Sequence, residues 1–158
     1  MKTICYAVLA GMLCLSGVAT AAPFSSGSDN AQVIQIQDME LAVPPGWTLE
    51  QDAEDQGTII LGFANGDDYL TFFVKREFDL DMHAMFANSA NIIRDVFDYP
   101  RTSFNWKAMQ TSKASRRSTA YVASFKTDYD GFTYYGYSRS ANSSRSMEII
   151  NSFLSSIR

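Results

Sequence analysis

His83 is the only histidine of the 158-residue chain, and it stands in Asp79-Leu-Asp81-Met-His83, two carboxylates and an imidazole at alternating positions. In an extended strand these three side chains share one face and present a divalent metal with oxygen and nitrogen donors. If the backbone turns helical at Asp81, the three diverge and the aspartates cap the helix by accepting backbone hydrogen bonds. Asp79, Asp81 and His83 are therefore the metal candidates, and capping is the expected outcome. Asp128-Tyr-Asp130-Gly131 looks like the middle of a calcium loop, but that frame puts Lys126 first and Tyr137 twelfth, where a carboxylate is required. An Asp-Gly pair between ring-rich runs is a hairpin turn. The abundant serines lack a Gly-x-Ser-x-Gly elbow, and no glycine-rich phosphate loop is present. A glycosidase pair drawn from Glu40, Glu50, Glu54, Glu77 and Glu148 would have to be assembled in space, and most of these fall in or beside strands and turns. No catalytic residue and no cofactor are assigned.

The residues that remain are rings. In the 125–139 stretch, FKTDYDGFTYYGYSR, alternation puts Phe132 and Tyr134 on one face and Tyr135 and Tyr137 on the other. Tyrosine suits a half-wet position, because its ring buries area while its hydroxyl finds a partner. Tyr135 and Tyr137 are the expected anchors of a contact surface, with Asp67, Asp68, Asp128 and Asp130 as an acidic rim.

The start of the chain points to the compartment. Lys2, an apolar stretch over 4–18 and the small residues Ala19-Thr20-Ala21 have the layout of a signal peptide, with cleavage expected after Ala21. Both cysteines, Cys5 and Cys14, fall inside it, which leaves residues 22–158 without a disulfide framework, thiol nucleophile or thiolate metal site. Removing Lys2 leaves twelve basic against seventeen acidic residues. That balance disfavours nucleic acid and favours a partner with a basic surface. The periplasm is the expected location, with no stable membrane insertion after cleavage.

Residues 22–31, small and polar, read as a tether, and 32–158 as one domain. Two short strands lead to Pro45-Gly46, the central pair of a type II turn. Runs at 57–63 and 69–76 flank Asn65-Gly66, a hairpin. Met82, Met85, Phe86, Ser89, Ile93, Val96 and Phe97 fall on one helical stripe that ends before Pro100. Strands follow at 103–112, 118–127 and 131–140. A closing helix, capped by Asn142 or Ser143, carries Met147, Ile150, Phe153, Leu154 and Ile157. The expected class is α+β, an antiparallel sheet with two amphipathic helices packed on it.

The layout resembles the PsbP-like and DcrB-like superfamily of small envelope and lumen proteins. MELAVPPGWTL at 39–49, the central hairpin, the long helix ending IIRDVFDY at 92–99 and the closing MEIINSFLSSI at 147–157 carry the likeness. It implies a non-enzymatic assembly factor, adaptor or other binding module, and no shared catalytic residue. An acidic, exported single domain also fits an immunity-type inhibitor of an envelope-targeting toxin. The alternatives are a carrier of a small apolar ligand or divalent metal, with Met82, Met85 and Phe86 as pocket lining, and a hydrolase.

Overall fold

The computed structural model describes residues 32–86, 90–99 and 104–158; the signal peptide and tether expected over 1–31 lie outside them. Strands β1 (Val33–Ile36) and β2 (Met39–Ala42) form a hairpin of their own. A second, seven-stranded sheet is built from β3 (Thr48–Asp55), β4 (Thr58–Asn65), β5 (Asp68–Arg76), β6 (Asn91–Tyr99), β7 (Trp106–Ala114), β8 (Thr119–Tyr129) and β9 (Phe132–Ser140). Helix α1 (Ser143–Ser155) follows. All paired strands are antiparallel, in the order β3-β4-β5-β9-β8-β7-β6.

Turn chemistry accounts for the hairpins. Gly66 has a φ of +60° between β4 and β5, and Asp130 and Gly131 have φ values of +47° and +75° between β8 and β9. The second pair matches a turn with both central residues in the left-handed region, whose twist suits the flanking strands. Gly46, at φ +82°, completes the expected type II turn after Pro45.

One face of the large sheet meets α1. Leu61, Phe63, Leu70, Phe72, Val74, Trp106, Phe125 and Tyr134 pack there with Ile149, Ile150, Phe153 and Leu154 of the helix. Burying apolar side chains of this size contributes about 1.5–3 kcal/mol each. The β1–β2 hairpin adds Ile34, Ile36, Met39 and Leu41 to the same core. It is tied to the chain end by Glu40 N–H to the Arg158 carbonyl (3.0 Å) and Arg158 N–H to the Glu40 carbonyl (2.9 Å). Asn142 caps α1 by accepting from the Arg145 N–H at 3.1 Å. Gln110, buried on β7, donates to the Ser143 carbonyl at 2.7 Å and to Ser146 Oγ at 3.0 Å, fixing the first turn on the sheet.

The first expected helix is not formed. Its segment holds a single 3-10 turn at Ala84–Phe86 and then the edge strand β6. Ile92, Ile93, Val96, Phe97 and Tyr99 are β-branched or aromatic and favour an extended backbone once β7 offers a ladder. The stripe is not a buried face either, since Ile93 is 44% exposed while Met82 is 4% exposed. The class is thus α+β, with one α-helix among the described residues rather than two; Ser89 of the expected stripe lies outside them.

The strand order has a further consequence. β5 lies four strand positions from β6, roughly 19 Å at the usual strand spacing. The described part of the connection, 77–86, therefore crosses β9, β8 and β7 on the face opposite α1. Its contacts follow that path. The Thr133 hydroxyl on β9 meets the Phe78 carbonyl, Lys126 Nζ on β8 donates to the Leu80 carbonyl at 3.1 Å, and Phe86 reaches a groove it shares with Met109 of β7.

Candidate functional site on the second face of the sheet

Cross-strand register assigns this face residue by residue. Phe73 of β5 lies opposite Tyr135 of β9, which lies opposite Lys126 of β8; the next row runs Thr71, Tyr137, Ser124, Met109. Phe132 and Tyr134 point the other way. Tyr134 is fully buried, and its hydroxyl is pushed up to about 12 by burial and then by the nearby Asp38 charge.

Tyr135 and Tyr137 are both half-buried. Phe73 stacks on Tyr135 with centroids 4.8 Å apart and planes 10° apart, and on Tyr137 at 6.2 Å. Phe78 of the crossover adds a tilted contact to Tyr135 at 5.8 Å, with Lys75 Nζ 4.8 Å from its ring centre. Burial pushes the Tyr135 hydroxyl above its ordinary range. The rings form a packed row with one wet edge rather than freely projecting anchors.

The acidic rim divides in two. Asp67 shares a shallow groove of ≈ 480 Å³ with Tyr69, Tyr137 and Arg139 at one end of β9. Asp68 beside it is taken by Arg145, Nε to Oδ2 2.8 Å, so it holds the start of α1 against the β4–β5 turn. Asp128 and Asp130 lie at the other end of β9. There Asp128 accepts from the Thr133 hydroxyl at 2.7 Å and lies 3.6 Å from Lys126 Nζ. These two aspartates join Glu77 and Asp79 of the crossover in a groove of ≈ 490 Å³, along with Phe78 and Tyr129. Tyr129 is 46% exposed and braced edge-on by Phe104 at 5.0 Å. Glu77 and Tyr129 were not legible as site residues, because only the crossover's path brings 77–79 to the 128–132 turn. The signal present was Tyr129 itself, a ring directly beside an Asp-Gly turn.

Asp79 parts from the other two metal candidates, whereas Asp81 Oδ1 stays 3.9 Å from His83 Nδ1. Asp79 lies in the groove at the hairpin tip, whereas Asp81 accepts from the N–H groups of His83 (2.9 Å) and Ala84 (3.2 Å) and so caps the 3-10 turn. His83 Nε2 is 2.6 Å from Asp95 Oδ1 of β6. The Val96 N–H and then the His83 contact hold the Asp95 carboxyl below its usual range. Among the described residues no three of His, Cys, Asp and Glu are placed to hold a metal ion.

One carboxyl is shifted the other way. Asp52, on edge strand β3 opposite Leu61, is raised from 3.8 to about 6 by desolvation. The folded protein thus binds its proton more tightly than the unfolded chain, and the stability it lends below pH 4 is lost as pH rises through about 6. Asp52→Asn is expected to raise the melting temperature relative to the parent above pH 6 and not below pH 4. The side chain is largely exposed, so screening keeps the gain below about 1 kcal/mol. A pH series of melting curves checks it, and a gain constant from pH 4 to 7 would contradict the assignment.

No protein-family model and no curated protein matches the chain. Among solved structures it is similar to the solution structure of cyanobacterial PsbP (CyanoP) from Synechocystis sp. PCC 6803. The match covers 87% of this chain and 97% of that one, at a TM-score of 0.59 and 12% identity. The chain has a PsbP-like fold. A second structure, of LpqN involved in cell envelope biogenesis of Mycobacterium tuberculosis, matches over 82% of this chain and 84% of that one. At 14% identity and a TM-score of 0.46 it is too distant to refine the fold. At 12% identity the likeness shows the fold alone and transfers no site residue. No described helix is long and apolar enough to cross a membrane.

Proposed function

We propose that this is an exported, non-enzymatic binding protein of the periplasm that acts by protein-protein contact. The observation that carries the reading is the groove at the β8–β9 tip, where Glu77, Asp79, Asp128 and Asp130 surround the exposed Tyr129. Four carboxylates beside an exposed ring suit a lysine- or arginine-bearing segment of a partner: the charges hasten encounter, and the ring supplies buried area and a cation-binding face. The acidic balance of the chain and its leader-like start support the same reading. Asp67 and Tyr137, at the far end of β9, form a second and smaller contact region. An assembly or adaptor role and an immunity-type inhibitor role both use such a surface, and the identity of the partner separates them.

Affinity capture of the tagged protein from native periplasmic extract tests this, with Asp79→Asn/Asp130→Asn and Tyr129→Ala as controls. Asparagine tolerates the positive φ at position 130, so the first variant keeps the turn. A stoichiometric partner is expected whose retention falls at least tenfold in either variant and declines steeply between 50 and 300 mM salt (~10-fold and ~50–300 mM as working ranges for exposed charge pairs). A partner retained equally by all three proteins would move the contact elsewhere on the surface.

A further inference from the structure

On the second face of the sheet, beyond Tyr137, the crossover and the β7–β8 hairpin enclose a groove of ≈ 500 Å³. Its apolar lining comes from Met85 and Phe86 of the crossover and from Ala120, Val122 and Tyr137 of the sheet. Its charged lining is cationic: Lys113 and Arg139. Among the described residues neither makes an ion pair, whereas Arg145, Lys107 and Lys126 each have a carboxylate partner. Arg116 and Arg117 stand on the loop that joins β7 to β8, next to Lys113. An acidic protein thus places two cations with no ion pair among the described residues in one apolar groove, on the opposite end of the sheet from its acidic tip, with Arg116 and Arg117 on the adjoining loop and Asp67 in the next groove along, which Arg139 also lines.

Two further features set this groove apart from plain surface. Phe86 lines both it and a neighbouring groove of ≈ 440 Å³ that contains Met109 and Ile92, so the two grooves meet at this crossover residue. On the sheet between them lie Thr111, directly opposite Val122, and Ser124, directly opposite Met109. Each is 1% exposed, and among the described residues neither hydroxyl has a hydrogen-bond partner. Met85, 36% exposed, and Ile92, 52% exposed, extend the apolar surface outward from the two grooves.

We infer that the groove of Lys113 and Arg139 binds a single-chain anionic amphiphile. The alkyl chain lies along Val122, Tyr137 and Phe86, and the carboxylate or phosphate head meets Lys113 and Arg139. An apolar interior with a few convergent charges at its mouth is the usual composition of a small-ligand site, and the sign of those charges selects the head group. The site is separate from the acidic tip, so the two can be lost independently.

Calorimetric titration of the purified protein with dodecanoate below its micellar concentration tests the inference, beside dodecyltrimethylammonium as the cationic match. Saturable one-to-one binding of dodecanoate is expected, at least tenfold tighter than the cation (about one strong charge contact). Lys113→Glu/Arg139→Glu should weaken dodecanoate binding by tenfold or more, and Val122→Trp, which fills the groove, should abolish it. Sedimentation with phosphatidylglycerol vesicles separates the sources: binding to free dodecanoate alone marks a carried molecule, and binding to vesicles that is lost in the Lys113→Glu/Arg139→Glu variant marks a membrane head group. Equal affinity for both amphiphiles, affinity unchanged in the variants, or no binding to either probe would overturn the assignment. Retention of the protein partner by the Lys113→Glu/Arg139→Glu variant would show that the contact at the acidic tip stands regardless.

Discussion

Gly136→Ala is expected to unfold the domain or to cost it about 3 kcal/mol or more, the upper end of overpacking in a core. Gly136 sits at the centre of β9, the middle strand of the sheet, directly opposite both Phe72 of β5 and Phe125 of β8. The two rings close over it with centroids 5.7 Å apart. A Cβ at this position would lie 2.4 Å from the Thr71 carbonyl oxygen and 2.6 Å from Phe125 Cζ. Rotation of Phe125 could relieve the second clash but not the first, because that oxygen belongs to the backbone of the adjacent strand. Elsewhere the same change gains up to about 1 kcal/mol by restricting the unfolded chain, so the sign here is diagnostic. Urea unfolding followed by far-ultraviolet circular dichroism reads the loss directly. A midpoint within 1 kcal/mol of the parent (about the ordinary scatter of point mutants) would mean that β9 is not pinned between β5 and β8 as described.

Phe153→Ala is the second large effect, expected at about 3–5 kcal/mol, which is a substantial part of the 5–15 kcal/mol that holds a domain of this size together. Phe153 is 2% exposed and joins three parts of the chain: its own helix, Trp47 at 5.0 Å in an edge-on contact, and Phe63 of β4 at 5.0 Å. Its loss leaves a cavity where α1 crosses the sheet. It also loosens the segment 156–158, whose backbone pairs with β2 through Glu40 and Ala42. The variant is expected to bind a hydrophobic dye at temperatures where the parent does not. Ser152→Ala, on the exposed side of the same helix, should stay within about 0.5 kcal/mol. Equal stabilities for the two variants would show that α1 does not close this core.

The local elements were legible because local chemistry decides them. Asp130-Gly131 and Pro45-Gly46 require particular dihedrals whatever surrounds them, and both turns form. The stripe on α1 is legible for a related reason, since Ile150, Phe153 and Leu154 follow Asn142, a strong cap, and no strand-forming run competes with them. The 82–97 stretch shows where this reading ends. Its apolar residues fit a helical period, yet Ile92, Ile93, Val96 and Phe97 suit a strand equally well. The choice fell to the unpaired edge of β7, a partner more than ten residues away in sequence.

The candidate site follows the same division. Alternation alone put Tyr134 on one face and Tyr135 and Tyr137 on the other, because a strand has period two in any sheet, and burial then showed the Tyr134 face to be the core. It could not show that Phe73 would stack between those two tyrosines, that Arg145 would engage Asp68, or that Asp79 would part from His83 and join Asp128. Each of these depends on β9 being inserted between β5 and β8. That insertion sends residues 77–86 across the second face of the sheet. The sequence by itself determined the turns, the strand faces, the closing helix and the acidic balance, all of which rest on a residue and its near neighbours. Only the tertiary structure decided which carboxylates share a groove and which cations are left unpaired, because those neighbours are brought together by strand order, and strand order is fixed by the burial of the whole core.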